Sequence, residues 1–214
     1  EPGAAPHNNW NDRILAECYA PNALAGNMSR ISFNIGPTLF DWLEHADPVT
    51  SARIISQDRQ NLRKYGVGNA MAQSYHHTIL PLATLQDKIT QVRWGIADFK
   101  YRFGHAPEGM WLPETAADNQ TLSVLADCGI KFTILAPWQS LDKDINTSHP
   151  YRVELPDGKS ITVFFYNQSL STRVSFDPIA TQNADAFLRE CILPEYRNQE
   201  DAHGEPELVL IATD

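Results

Sequence analysis

Glu114 closes an apolar run, Gly109-Met110-Trp111-Leu112-Pro113-Glu114, a few positions before a helical pattern begins. A short buried strand ending in a glutamate at a loop mouth is one way an α/β enzyme presents an acid to a pocket. Pro113 fixes φ just ahead of the carboxylate, and Trp111 points to the opposite side from Met110 and Leu112. Other strand ends carry comparable side chains: His76 and His77 follow the run 69–75, Trp138 and Gln139 follow 132–135, and Asp214 follows 208–213. Two carboxylates on separate strand ends suit glycosidic-bond cleavage, where one attacks the anomeric carbon and the other protonates the leaving oxygen. Trp111, Trp138 and Tyr75 could stack on the apolar faces of sugar rings, and histidines beside the acids could donate to hydroxyls. Blander roles stand beside these. Glu114 could cap the following helix, His77 could be satisfied by backbone, and Trp138 could plug the mouth of the fold. His76 points to the other side of the strand and reads first as structural, as a sugar contact only alongside His77.

The elements that must position these side chains alternate. A helical pattern from Trp10 ends at Pro21, residues 30–35 alternate as a strand, and Gly36-Pro37 opens a helix carrying Leu39, Phe40, Trp42 and Leu43. A polar helix over 50–65 and a strand over 69–75 follow. The clearest helix is 84–103: Thr84 and Asp87 resemble a capping box, Leu85, Ile89, Val92, Ile96, Phe99 and Phe103 share a face, and Gly104 stops it. After the Glu114 strand come a helix near 118–128, a strand over 132–135, a helix near 184–196 and a final strand over 208–213. Nearly continuous apolar strands separated by helices mean a parallel sheet, open or closed into a barrel, with its site at the carboxyl ends of the strands. Residues 151–166 break the alternation. There Asp157-Gly158 between two alternating runs signals a β-hairpin, expected off the sheet near its rim.

A length of 214 residues suits a single domain with one core, and 43% hydrophobic with 20% charged residues is a soluble composition. The net charge of −9 argues against nucleic acid or an anionic membrane as partner and favours a neutral or cationic ligand. No apolar window is long enough for a membrane helix, and no leader pattern opens the chain. Cys18, Cys128 and Cys191 form no CxxC pair, which speaks for a reducing compartment, the cytoplasm, without a zinc cluster. The start at Glu1 and the stop inside an apolar run are expected of a piece of a longer chain.

Several stretches together carry a resemblance. Gly109-Met110-Trp111-Leu112-Pro113-Glu114 resembles the nucleophile motif of glycoside hydrolase family 57, the α-glucan-active amylases, 4-α-glucanotransferases and branching enzymes. Residues 72–81, Ala-Gln-Ser-Tyr-His-His-Thr-Ile-Leu-Pro, are similar to its preceding motif, in which a His or Glu lines the substrate site. Ser32-Phe33-Asn34-Ile35-Gly36-Pro37 resembles its early strand-to-helix junction, and Leu210-Ile211-Ala212-Thr213-Asp214 the opening of its Thr-Asp-Gly-Glu motif. The resemblance implies an α/β fold, a parallel distorted (β/α)7 barrel. It also implies a retaining double displacement with Glu114 as nucleophile and Asp214 as acid/base, on an α-glucan or oligosaccharide. Neither a metal nor another cofactor is implied.

The sequence departs from the family pattern at both ends. The opening His-x-His-Gln-Pro-like motif is absent, and so is the Gly-Glu that follows the acid/base. The stretch therefore reads as the middle of a catalytic barrel, inactive by itself. Some members carry Glu where His77 stands, so activities do not transfer freely between subgroups. Two other readings remain: a metal-dependent polysaccharide deacetylase and a non-catalytic glycan-binding relative. The first would need two His and an Asp around a divalent ion, and the sequence holds no HxxxH.

Overall fold

A computed structural model describes residues 1–156, 158–197 and 206–213. The first helices, α1 (Trp10–Ile14) and α2 (Ala20–Ala25), are joined by a π-helical turn at Leu15–Tyr19. Pro21 does not stop the chain. The helical path runs on to Gly26, left-handed at φ 77°, because the wide turn leaves Pro21 at the start of α2, where a missing N–H is tolerated. Gly36-Pro37 opens α3 (Pro37–Ala46) as the sequence predicts, and α4 (Pro48–Tyr65) follows, capped by Asp47.

The parallel β-structure advances one neighbour at a time. Phe33 bridges Ala70, with Met71 N–H donating to Phe33 O at 2.8 Å. Next, β1 (Ala72–Gln73) pairs with β2 (Met110–Trp111), Gly109 bridges Phe132, and β3 (Phe132–Leu135) lies beside β5 (Ser160–Phe165). All of these pairings are parallel. Between the strands run α5 (Leu85–Phe103), capped by Thr84 and closed by Gly104, and α6 (Asn119–Asp127). Phe40, Leu43, Ile54, Val92, Met110, Leu112, Leu125 and Val163 form one continuous core beneath this wall.

The hairpin forms, but not where the sequence places it. β4 (Tyr151–Glu154) is antiparallel to β5, while β5 is inserted between β4 and β3 and belongs to the parallel wall. The reason lies in its alternation: Ile161, Val163 and Phe165 are buried on the core side, and on the other face Phe164 meets the Phe132 ring edge-on at 5.7 Å. A strand buried along one face and packed through Phe164 on the other belongs inside a sheet, and β4, with Arg152 and Glu154 exposed, has the character of an edge. Gly158 turns the chain at φ 75°; Asp157 lies outside the described residues.

After the hairpin comes a helix the periodicity does not announce, α7 (Gln168–Phe176). The helix expected near 184–196 is α8 (Ala184–Phe187), a π-helical turn at Leu188–Ile192, and α9 (Leu193–Arg197). Residues 208–213 are held by single hydrogen bonds instead of a strand ladder. Leu208 N–H donates to Ser148 O at 2.9 Å, Asn167 N–H to Leu210 O at 2.8 Å, and Ala212 N–H to Ser171 Oγ at 3.1 Å. Their neighbours are a loop and the first turn of α7, so no strand edge is there to extend. Among the described residues no helix is long and apolar enough to cross a membrane.

Candidate active site

Glu114 owes its direction to a tight turn at the end of β2. Met110 and Leu112 are fully buried, which leaves Trp111 facing the open side. Thr115 N–H donates to Leu112 O at 2.9 Å and Ala116 N–H to Pro113 O at 3.1 Å, closing the turn. Within it Glu114 (φ 55°) and Thr115 (φ 51°) are both left-handed. Two such residues in succession, one of them β-branched, cost backbone energy that the turn bonds and the buried Pro113 and Thr115 side chains must offset. The result is that Glu114 does not cap the next helix. That role falls to Asp118, which accepts from Thr121 N–H at 2.7 Å and from the Lys88 ammonium at 2.9 Å.

His77 reaches the same place from β1. Ser74 Oγ and Thr78 N–H both donate to His76 O at 2.7 Å, and the folded turn projects the His77 ring across to Glu114. His77 Nε2 lies 3.1 Å from Glu114 Oε1. Against an ionised carboxylate the ring nitrogen is the donor. Neither side chain is enclosed: His77 is 60% and Glu114 72% exposed, so the carboxylate is open to an incoming ligand.

The pair sits in a cleft of about 450 Å³ that also takes in Trp111 and Trp138. Trp138 meets the Tyr166 ring edge-on at 5.9 Å, and both rings form part of the cleft wall. Four of the expected residues, His77, Trp111, Glu114 and Trp138, are therefore brought together. Tyr75 and His76 are not. Tyr75 N–H donates to Gln91 O at 3.1 Å and its ring packs edge-on against Trp94 at 5.7 Å, outside the cleft. His76 N–H donates to Gln91 Oε1 at 2.8 Å, and its ring too lies against α5. Asp214 lies outside the described residues, while its neighbours Ala212 and Thr213 line the cleft.

The wall that α7 supplies is the part that sequence reasoning missed. Gln168, Ser171, Thr172, Ser175 and Phe176 of α7 all face the cleft. One signal was present: Asn167, which caps α7 by accepting from Leu170 N–H at 2.9 Å. The arrangement couples an accessible carboxylate and an oriented histidine with aromatic rings and hydroxyls in one cleft. Such a surface suits a neutral polyhydroxylated ligand. Among the described residues no group of three His, Cys, Asp or Glu is placed to hold a metal ion.

Comparison with known proteins bears on what this cleft belongs to. The family model for glycosyl hydrolase family 57 matches residues 29–214. The chain belongs to glycosyl hydrolase family 57. An alpha-amylase from Pyrococcus horikoshii is 22% identical over 153 residues, covering 70% of this chain and 23% of its own length. Among solved structures, the 4-alpha-glucanotransferase of Thermococcus litoralis superposes with a TM-score of 0.73 at 18% identity, over 97% of this chain and 31% of that one. The exo-type maltose-forming amylase of Pyrococcus sp. ST04 gives 0.65 at 14% identity, over 97% and 34%. These likenesses show the shared α/β fold. The chain spans about a quarter of the length of the alpha-amylase it matches.

Proposed function

We propose that this chain forms the substrate cleft of a retaining α-glucan-active glycosidase or transglycosylase, with Glu114 as nucleophile and Asp214 as acid/base. The parallel segments would form an arc of a (β/α)7 barrel, in a cytoplasmic enzyme that needs no cofactor. The observation that carries the reading is the Glu114–His77 pair, 3.1 Å apart within an aromatic cleft. Family membership and relatives named as amylases and a glucanotransferase support it.

In this mechanism a Glu114 oxygen attacks the anomeric carbon while the Asp214 carboxyl gives its proton to the leaving oxygen. A glycosyl ester on Glu114 results. Asp214, now a carboxylate, takes a proton from water or from a sugar hydroxyl, which attacks the same carbon and frees Glu114. His77 Nε2–H holds the carboxylate toward the sugar, and Trp111, Trp138 and Tyr166 offer ring faces to it. His76 and Tyr75, packed on α5, contribute by anchoring the turn that presents His77.

The test is Glu114→Gln in the full-length protein, an isosteric change at an exposed position. Turnover of starch and maltooligosaccharides should be abolished with the melting temperature unchanged. A variant that kept wild-type rates on every α-glucan would remove Glu114 as nucleophile. Wild-type activity lost to EDTA and restored by zinc would move the reading to the deacetylase class.

A further inference from the structure

The α7 wall has a regularity that the proposed chemistry leaves unused. Gln168, Ser171, Thr172, Ser175 and Phe176 fall at offsets of three, four, seven and eight, which is one face of a helix, and all five line the cleft. On a helix packed against a core that face is apolar; here Phe176 alone is. Leu170 anchors α7 from another side. Ser171 is already occupied, accepting from Ala212 N–H at 3.1 Å while buried.

The other three polar side chains point outward and are exposed. Among the described residues none of them is hydrogen-bonded to protein. Helical Ser and Thr commonly return the hydroxyl to a carbonyl one turn back, as Thr90 Oγ1 does to Gln86 O at 2.8 Å. Thr172 and Ser175 instead leave theirs to the cleft. The same cleft is lined by Trp111 and by the Trp138–Tyr166 pair. A pyranose ring has the matching division: C–H faces that stack on aromatic rings and an edge of hydroxyls that donate and accept.

We infer that Gln168, Thr172 and Ser175 are specificity-determining residues that read the secondary hydroxyls of a glucosyl unit stacked on Trp138, an inference that rests on the α-glucan reading above. A wall built to bond a hydroxyl rejects the analogue that lacks it, because its own polar groups then lose a partner. These three are wetted in the free protein, so the rejection is moderate, about tenfold for each hydroxyl read.

The experiment uses the full-length protein, its Thr172→Val/Ser175→Ala double variant, and maltotriosides that each lack one secondary hydroxyl. For the analogue missing the hydroxyl that Thr172 and Ser175 contact together, wild-type kcat/KM should fall about tenfold, and the double variant should handle the parent sugar at that reduced level. That variant should lose less than about twofold more on the same analogue, which is the signature of a removed pairwise contact. Thr172→Ser, which keeps a hydroxyl, should retain wild-type discrimination. A double variant that discriminates among the deoxy sugars as the wild type does, or that treats the parent sugar with wild-type efficiency, overturns the assignment. Wild-type protein that turns over no maltooligosaccharide overturns the glucan reading itself and this inference with it. The wild-type arm alone separates that failure from the other.

Discussion

Lys88, fully buried in the first turn of α5, places its ammonium 2.9 Å and 3.1 Å from the two carboxylate oxygens of Asp118. The bond crosses from the start of one helix to the cap of the next, and the turn bearing Glu114 lies just ahead of that cap. The burden is unequal, since Lys88 is enclosed while the Asp118 side chain is 41% exposed.

Asp118→Ala should therefore destabilise more than Lys88→Met. It strands a buried cation and removes a helix cap, a loss of about 3–5 kcal/mol, whereas the methionine variant leaves a carboxylate that water can reach, costing about 1–2 kcal/mol. Urea unfolding of the two variants measures the order. Acid should narrow the gap. Burial opposes ionisation of Asp118, but Thr121 and the Lys88 ammonium outweigh it and hold its carboxyl below the ordinary range. A depressed folded value means the stabilisation is complete above the unfolded pKa of about 3.9 and disappears as pH falls through the folded one.

Gly95 should resist substitution where Gly129 tolerates it. A Cβ on Gly95 would overlap the backbone carbonyl of Gln73 in β1, whereas Gly129 (φ 85°) has open space around it. Gly95→Ala must push α5 off β1, at about 3 kcal/mol, against about 1 kcal/mol of backbone strain for Gly129→Ala. Thermal unfolding of both variants checks this. Equal losses would mean that α5 shifts without cost.

His77→Ala should lower kcat about 10²-fold with KM and melting temperature nearly unchanged, because the ring is largely exposed and its bond to Glu114 matters as charge redistributes. Steady-state kinetics on maltooligosaccharides supplies the measurement. A rise in KM alone would make His77 a sugar contact instead.

Ser171→Ala should act through the segment it holds. Without the hydroxyl, Ala212 N–H loses its partner, and the stretch leading to Asp214 is held less tightly. Stability should drop about 1 kcal/mol and, with Asp214 as the proposed acid/base, kcat about tenfold, since small displacements of a reacting group are costly. Ser171→Thr should restore both.

The legible parts of the sequence were those where local chemistry and packing agree. Thr84 and Gly104 mark the ends of α5, and the Met110–Leu112 alternation gives the face of β2. Several features depended on distant neighbours. α7 carries no apolar stripe because its most regular face looks into the cleft, so only Asn167 announced it. Tyr75 looked like a sugar platform from its place beside His77, yet Gln91 and Trp94 of α5 claim it. The local turn at Gly158 points to an excursion for β5, whereas its parallel bond to β3 forms with residues far back in the chain. The left-handed pair at Glu114 and Thr115 left no mark in residue type, since neither is a residue that favours that region.

The stepwise β-wall has a consequence for how the protein is made. Each parallel segment bonds to the parallel segment before it: 70 to Phe33, 110 to Ala72, 132 to Gly109, and 162 to Phe132. Among the described parallel segments, a chain leaving the ribosome thus presents each newest one to an edge already synthesised. Contacts close over modest loops, which keeps the entropic barrier of each addition low. The exception is β4, which emerges ahead of β5 and must leave β3 free until β5 arrives. Its exposed charged residues, Arg152 and Glu154, make it a poor occupant of that vacant edge and so protect the order of assembly.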